Sequence, residues 1–171
     1  MKYFNYCFFI LSGLVESKRI IYRSCEKRDT FYKQSALKLY CQEDTGGIPC
    51  YVAVDLDAGP NAVVGFITIT IPYDIPELEE SDVRKMMPGD KKRKGIFGTI
   101  ECFEVYPDYR GQGIGAELLQ NSINHGTTTP NFLAMTVHVL RKDARAMGLY
   151  KRYDFVEVFK DENYFHLARY Y

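Results

Sequence analysis

Gly111, Gly113 and Gly115 alternate behind Arg110 in the run Val105-Tyr106-Pro107-Asp108-Tyr109-Arg110-Gly111-Gln112-Gly113-Ile114-Gly115-Ala116-Glu117-Leu118-Leu119. Lacking a Cβ, such positions let the backbone come close to a ligand. The pattern before them predicts a strand over residues 99–106, and the pattern after them predicts a helix opening near Gly113. Unpaired N–H groups and the dipole at a helix start favour an anion. Arg110 adds a fixed charge suited to phosphate oxygens. Together these residues read as a pyrophosphate cradle.

Two common cradles fit poorly. The G-x-x-x-x-G-K-[ST] loop of nucleoside triphosphate enzymes is absent from the chain. Gly111-x-Gly113-x-x-Ala116 satisfies the loose dinucleotide fingerprint. However, Pro107 to Arg110 separate it from the strand, and no acidic residue caps the next strand, since Asp143 falls four residues beyond Val139.

The predicted strand at 99–106 must aim any catalytic side chain. Strict alternation puts Thr99, Glu101, Phe103 and Val105 on one face and Ile100, Cys102, Glu104 and Tyr106 on the other. Glu101 and Glu104 then lie on opposite faces, so at most one serves the site.

The 171 residues suit one domain with a full hydrophobic core. Lys+Arg and Asp+Glu balance at 22 each, so no global field draws the chain to nucleic acid or anionic lipid. Five cysteines form no C-x-x-C pair. They read as small buried residues in a reducing, cytoplasmic compartment. His125, His138 and His166 are widely separated in sequence, which gives no metal-ligand spacing.

From the start of the chain, residues 3–11 are apolar and too short for a membrane span, and are expected as a first buried strand. Helical spacing follows over 14–25 and 31–40, with Asp29 or Thr30 as a cap. A rival parse makes Arg19 to Arg23 the first strand. Residues 51–55 and 63–71 read as a hairpin around Asp57-Ala58-Gly59-Pro60-Asn61. Residues 72–97 read as a polar link, acidic at Glu77 to Asp82 and basic at Lys91 to Lys94; it is a solvated loop or a lid over a site. The helix from Gly113 should stop near Gly126, a strand should cover 132–139, and a hairpin over 155–160 and 164–170 should close the chain.

The glycine run resembles the acyl-CoA site of the GNAT acetyltransferase superfamily, whose motif Q/R-x-x-G-x-G/A follows a strand ending V-x-P. Arg110, Gly113 and Gly115 hold the motif's places, and Val105 and Pro107 hold the strand end. Val63-Val64-Gly65-Phe66-Ile67 repeats a sequence frequent in that family. Residues 143–155 resemble its second signature, N-x-x-A-x-x-L-Y-x-x-x-G-F. Ala146, Leu149, Tyr150 and Phe155 match, while Asp143 stands for the usual Asn and Asp154 for the usual Gly.

The resemblance implies a mixed, mostly antiparallel α/β sheet, splayed at the fourth strand and flanked by helices, in a single domain over 1–171. It also implies an acetyl-CoA-dependent N-acetyltransferase in which an amine attacks the thioester directly. Acetyl-CoA would be held by Phe103, Val105, Arg110, Gly111, Gln112, Gly113, Ile114, Gly115, Ala116, Asp143 and Ala146. The family's base often lies nine or eleven residues before the Q/R, which here means Glu101 or the non-titrating Thr99. Tyr150 would protonate the leaving thiolate, as a phenol with a reference pKa of about 10 can at neutral pH. The acceptor would be an amine of a small molecule or protein, with no metal, nucleic acid or membrane involved, and a homodimer is left open. An acyl-CoA-binding sensor without turnover is the alternative, kept open by Asp143 and Asp154.

Overall fold

The structure is a computed structural model that describes residues 18–31 and 50–171. The expected strand at 3–11, residues 14–17 of the first expected helix and all but residue 31 of the second lie outside those residues.

The sheet forms because long β-branched and aromatic runs alternate with turn residues. Its described strands are β1 (Ile20–Ser24), β2 (Thr30–Phe31), β3 (Cys50–Asp55), β4 (Ala62–Thr70), β5 (Ile96–Val105), β6 (Phe132–Leu140), β7 (Val156–Lys160) and β8 (Tyr164–Tyr170). They run in the order β1-β3-β4-β5-β6-β8-β7, with β2 parallel to β4 off this path. All neighbours on the path are antiparallel except β5 and β6, which are parallel. The β5–β6 register ends at Thr99↔Thr136, although both strands continue. There the sheet splays, and β5 is the fourth strand if two-residue β2 is set aside.

Three expectations are corrected here. Ile20–Ser24 is a strand paired with β3, from Ile20↔Asp55 to Ser24↔Tyr51, so the rival parse holds over the helical one. Helical spacing failed because the alternation of β1 is short and its neighbour is distant in sequence. Of the two proposed caps, Thr30 enters β2, and buried Asp29 accepts two bonds from Arg23, at 2.8 and 2.6 Å, and one from the Glu26 amide; the helix they were to cap lies outside the described residues. Cys50 is disulfide-bonded, whereas Cys25 and Cys102 are free, so the reading of five unlinked thiols does not stand.

The link at 72–97 contains a helix, α1 (Glu77–Met86). Its charges complement the helix dipole, with Glu77, Glu79 and Glu80 in the first turn and Arg84 and Lys85 in the last. Val83 and the following Met87 anchor it on Phe97, Leu133, Ala134 and Ala168. Only this short apolar pair signals the helix in sequence. The basic run is tied down as well: Lys91 donates to the Lys85 carbonyl, and Arg93 donates to the Tyr171 carbonyl at 2.8 Å.

The opposite face carries α2 (Ile114–Thr128) and α3 (Ala144–Arg152). Ile114, Leu118, Leu119, Ser122, Ile123 and Gly126 form the buried stripe of α2. Gly65 lets that helix approach the sheet, since a Cβ there would lie 3.1 Å from the Glu104 carbonyl oxygen and 3.3 Å from Ile114 and Leu118. Gly126 is not the stop expected of it. It lies inside α2 against Phe132 and Tyr171, and the helix ends before Thr129 and Pro130.

Candidate active site

The predicted cradle sits where β5 leaves the sheet. A short 3₁₀ turn, Pro107–Tyr109, follows β5. The Tyr109 hydroxyl anchors it by donating to Asp55 Oδ2 at 2.8 Å, and Arg110 Nε donates back to the Val105 carbonyl at 2.7 Å. Gly111 and Gly113 then adopt φ of 78° and 83°, and Gly113 is the N-cap of α2. No atom lies within 4 Å of a Cβ placed at either glycine. The positive φ lets the chain turn sharply, and the open space leaves the first amides of α2 accessible.

Across from this turn, α3 begins at Asp143, whose carboxylate accepts from the Ala146 amide at 2.9 Å. Aspartate therefore does the capping expected of it in place of asparagine. Asp154 takes φ of 62°, the left-handed conformation that the usual glycine would supply. Neither departure from the signature disturbs the local backbone.

Between these elements lies a cavity of about 830 Å³. Phe103, Val105, Arg110, Gly111, Gly113, Ile114, Gly115, Ala116, Asp143 and Ala146, all expected on sequence grounds, line it. Gln112 does not; its side chain turns back to the Asp108 carbonyl at 3.2 Å. Sequence reasoning missed Lys142, Arg145 and Arg152, which add basic groups to the α3 side of the wall. The signal was the cluster of cations around the second signature.

Glu101 and Tyr150 lie outside that lining. Strict alternation along β5 fails, because a bulge between Thr68 and Ile69 leaves Glu101 without a register partner. Ile100 consequently joins the core under α2, against which Phe103 and Val105 also pack, while Cys102 packs into the separate cluster around Phe66. Glu101 accepts from Thr70 Oγ1 at 3.0 Å. Thr70 follows buried Ile69 and faces away from α2, so the Glu101 carboxylate is held on the face opposite the cavity. Bulges often re-aim a side chain beside an active site.

Tyr150 is buried under the cavity floor, edge-on to Phe103 at 6.2 Å and to Phe155 at 5.1 Å between ring centroids. Burial, aided by the Asp143 charge, raises its phenol pKa well above the ordinary tyrosine value. The group therefore stays protonated far into the alkaline range.

On the Glu101 face, His138 and His166 are cross-strand partners with ring centroids 4.2 Å apart, so the reading of widely separated histidines fails for this pair. The hydrogen bond to Glu79 raises the His138 pKa.

The sheet is thus wedged open at its parallel pair, and a glycine-capped helix faces the wedge. The acetyltransferase (GNAT) family profile matches residues 14–155, and the chain belongs to that family. Among solved structures, Arabidopsis thaliana NAA60 in complex with acetyl-CoA is 20% identical with a TM-score of 0.66, covering 90% of this chain and 100% of that one. The NatC complex bound to Gag peptide and CoA contains a chain 19% identical, with a TM-score of 0.59 over 89% and 98%. A bacterial toxin is 12% identical, with a TM-score of 0.69 over 90% and 92%. No curated protein matches the sequence at a significant level. No helix among the described residues is long and apolar enough to cross a membrane.

Proposed function

We propose that this chain is an acetyl-CoA-dependent N-acetyltransferase that moves an acetyl group directly to a primary amine of a small molecule or protein. The observation that carries the reading is the cavity between the open glycine turn and the start of α3, at the point where β5 and β6 part. Its volume lies in the usual range for ligand sites. Arg110, Lys142, Arg145 and Arg152 offer charge to phosphates, and the amides at the start of α2 offer donors. The donor set fits a nucleotide thioester. Bound there, acetyl-CoA supplies the acetyl group. Beyond Thr99 the β6-side edge of β5 has no register partner. The amides of Phe103 and Val105 orient and polarise a carbonyl placed in the splay.

The acceptor amine approaches from the opposite face, where Glu101 takes its proton. Tyr150 holds a proton for the leaving thiolate beneath Phe103. An amine-bearing acceptor also agrees with the relatives, since NAA60 has been solved with a bisubstrate analogue and NatC with a peptide. Asp143 and Asp154, which motivated the sensor alternative, take up a helix cap and a left-handed turn, and turnover in the acceptor screen separates the two readings.

The test is calorimetric titration with acetyl-CoA, together with an acceptor screen using labelled acetyl groups. Gly115→Val places methyl groups among Phe103, Leu149 and Val105 at the cavity wall, without the backbone strain that Gly113→Val adds at its positive φ. Both variants, once shown to be folded, are expected to bind acetyl-CoA at least roughly tenfold more weakly, about 1.4 kcal/mol. Unchanged affinity in both would remove the cradle.

A further inference from the structure

On the sheet face away from the cavity, side chains from three elements converge. Glu79 comes from the first turn of α1, His138 from β6 and His166 from β8, and their potential ligand atoms all lie within 4.8 Å of one another. Glu79 is buried, with Oε1 3.1 Å from His138 Nε2. His166 is held more tightly. Phe159 stacks on its ring at 3.8 Å and 17°, and Asp161 Oδ2 lies 2.8 Å from its Nε2. Asp161 is fixed in turn by the amides of Asn163 and Tyr164, each at 2.8 Å.

A carboxylate accepts, so Nε2 of His166 donates to Asp161, and in the neutral imidazole Nδ1 then presents a lone pair. That Nδ1 is buried and has no hydrogen-bond partner. A plain structural ion pair accounts for Glu79 and His138 but leaves this lone pair unused.

We propose that Glu79, His138 and His166 form a binding site for a divalent transition-metal ion of the zinc class, with Asp161 orienting His166. Two imidazoles and one carboxylate suit zinc and its neighbours, whereas magnesium and calcium prefer all-oxygen sets. A carboxylate on the remote nitrogen of a ligating histidine is the usual device for fixing its tautomer. Tetrahedral ligand bonds of about 2.0–2.2 Å set donors roughly 3.3–3.6 Å apart, so Glu79 and His138, already at 3.1 Å, barely move and the His166 donor closes in by roughly 1 Å. The ion takes the place of the Nε2 proton that His138 shares with Glu79. His138 is 41% exposed at its side chain, which leaves an entry path and room for water as a further ligand. The site does not depend on the acetyl-transfer reading.

The experiment uses the full chain, stripped with chelator and titrated calorimetrically with ZnCl₂, with MgCl₂ as the comparison. One zinc ion per chain is expected, with a rise in melting temperature, and no magnesium uptake. His138→Gln and His166→Gln should each weaken zinc binding at least roughly tenfold, Asp161→Asn by about 10–100-fold, and His125→Gln not at all. Cobalt(II) guards against variants that fail to fold. A visible d–d band in the wild type, without a thiolate charge-transfer band, supports imidazole and carboxylate ligation. No zinc uptake by the wild type, affinity indifferent to both histidine variants, or a thiolate band would each overturn the site.

Discussion

Glu101→Gln is expected to lower turnover by about 10²–10⁴-fold, the usual range for loss of a general base, while acetyl-CoA affinity stays unchanged. The expectation rests on the β5 bulge, which holds the carboxylate against Thr70 on the face away from the cofactor cavity. A base placed there meets the acceptor without touching the phosphates. Glutamine keeps the size and can still bond to Thr70, so folding should survive. Glu104→Gln is the control and should cost far less turnover: Glu104 pairs with Phe66, so after the bulge its side chain shares the face of Cys102 and Glu101, but it is Glu101 that Thr70 holds. Steady-state kinetics and calorimetry on both variants separate these effects. A loss of only about twofold in Glu101→Gln would assign the proton to water or to another group on that face.

Tyr150→Phe should reduce turnover by about 10-fold to 10³-fold, since water partly replaces a lost acid. The substitution preserves the ring that packs edge-on against Phe103 and Phe155, so the melting temperature should hardly move. Acetyl-CoA affinity should also hold, because the lost interaction belongs mainly to the transition state. The pH profile gives a second reading. A general acid fails as pH rises through its pKa, and burial raises that of Tyr150, so wild-type activity should persist beyond the ordinary tyrosine range. Wild-type turnover in Tyr150→Phe would make it a core aromatic only.

The cavity side of the candidate site was legible in the sequence because it is written locally. Glycine conformations, a cap at Asp143 and a left-handed residue at Asp154 depend on neighbours only a few positions away. The face from which the proposed acceptor approaches was not, because it is assembled by long-range pairing. A bulge set by β4 re-aims Glu101, and strand register alone brings His138 to His166. Helix α1 escaped notice for a related reason. Its sequence is mostly charged, and its two apolar anchors gain meaning only against Phe97 and Leu133. At β1, a five-residue strand competed with an equally good helical spacing, and only its pairing with β3 decides between them.

The parallel seam between β5 and β6 is only four register pairs long, from Ile96↔Phe132 to Thr99↔Thr136. The sheet thus behaves as two plates, β1 to β5 and β6 to β8, stitched along a short edge. A ligand seated in the splay supplies the rungs that no strand provides, and so becomes part of the fold's cooperativity. Saturation at 100 times the dissociation constant adds about 2.7 kcal/mol to the folded state. Under the proposed function, the amides of Phe103 and Val105 on that open edge would exchange with solvent more slowly when acetyl-CoA is bound, so the cofactor would steady the very seam the strands leave short.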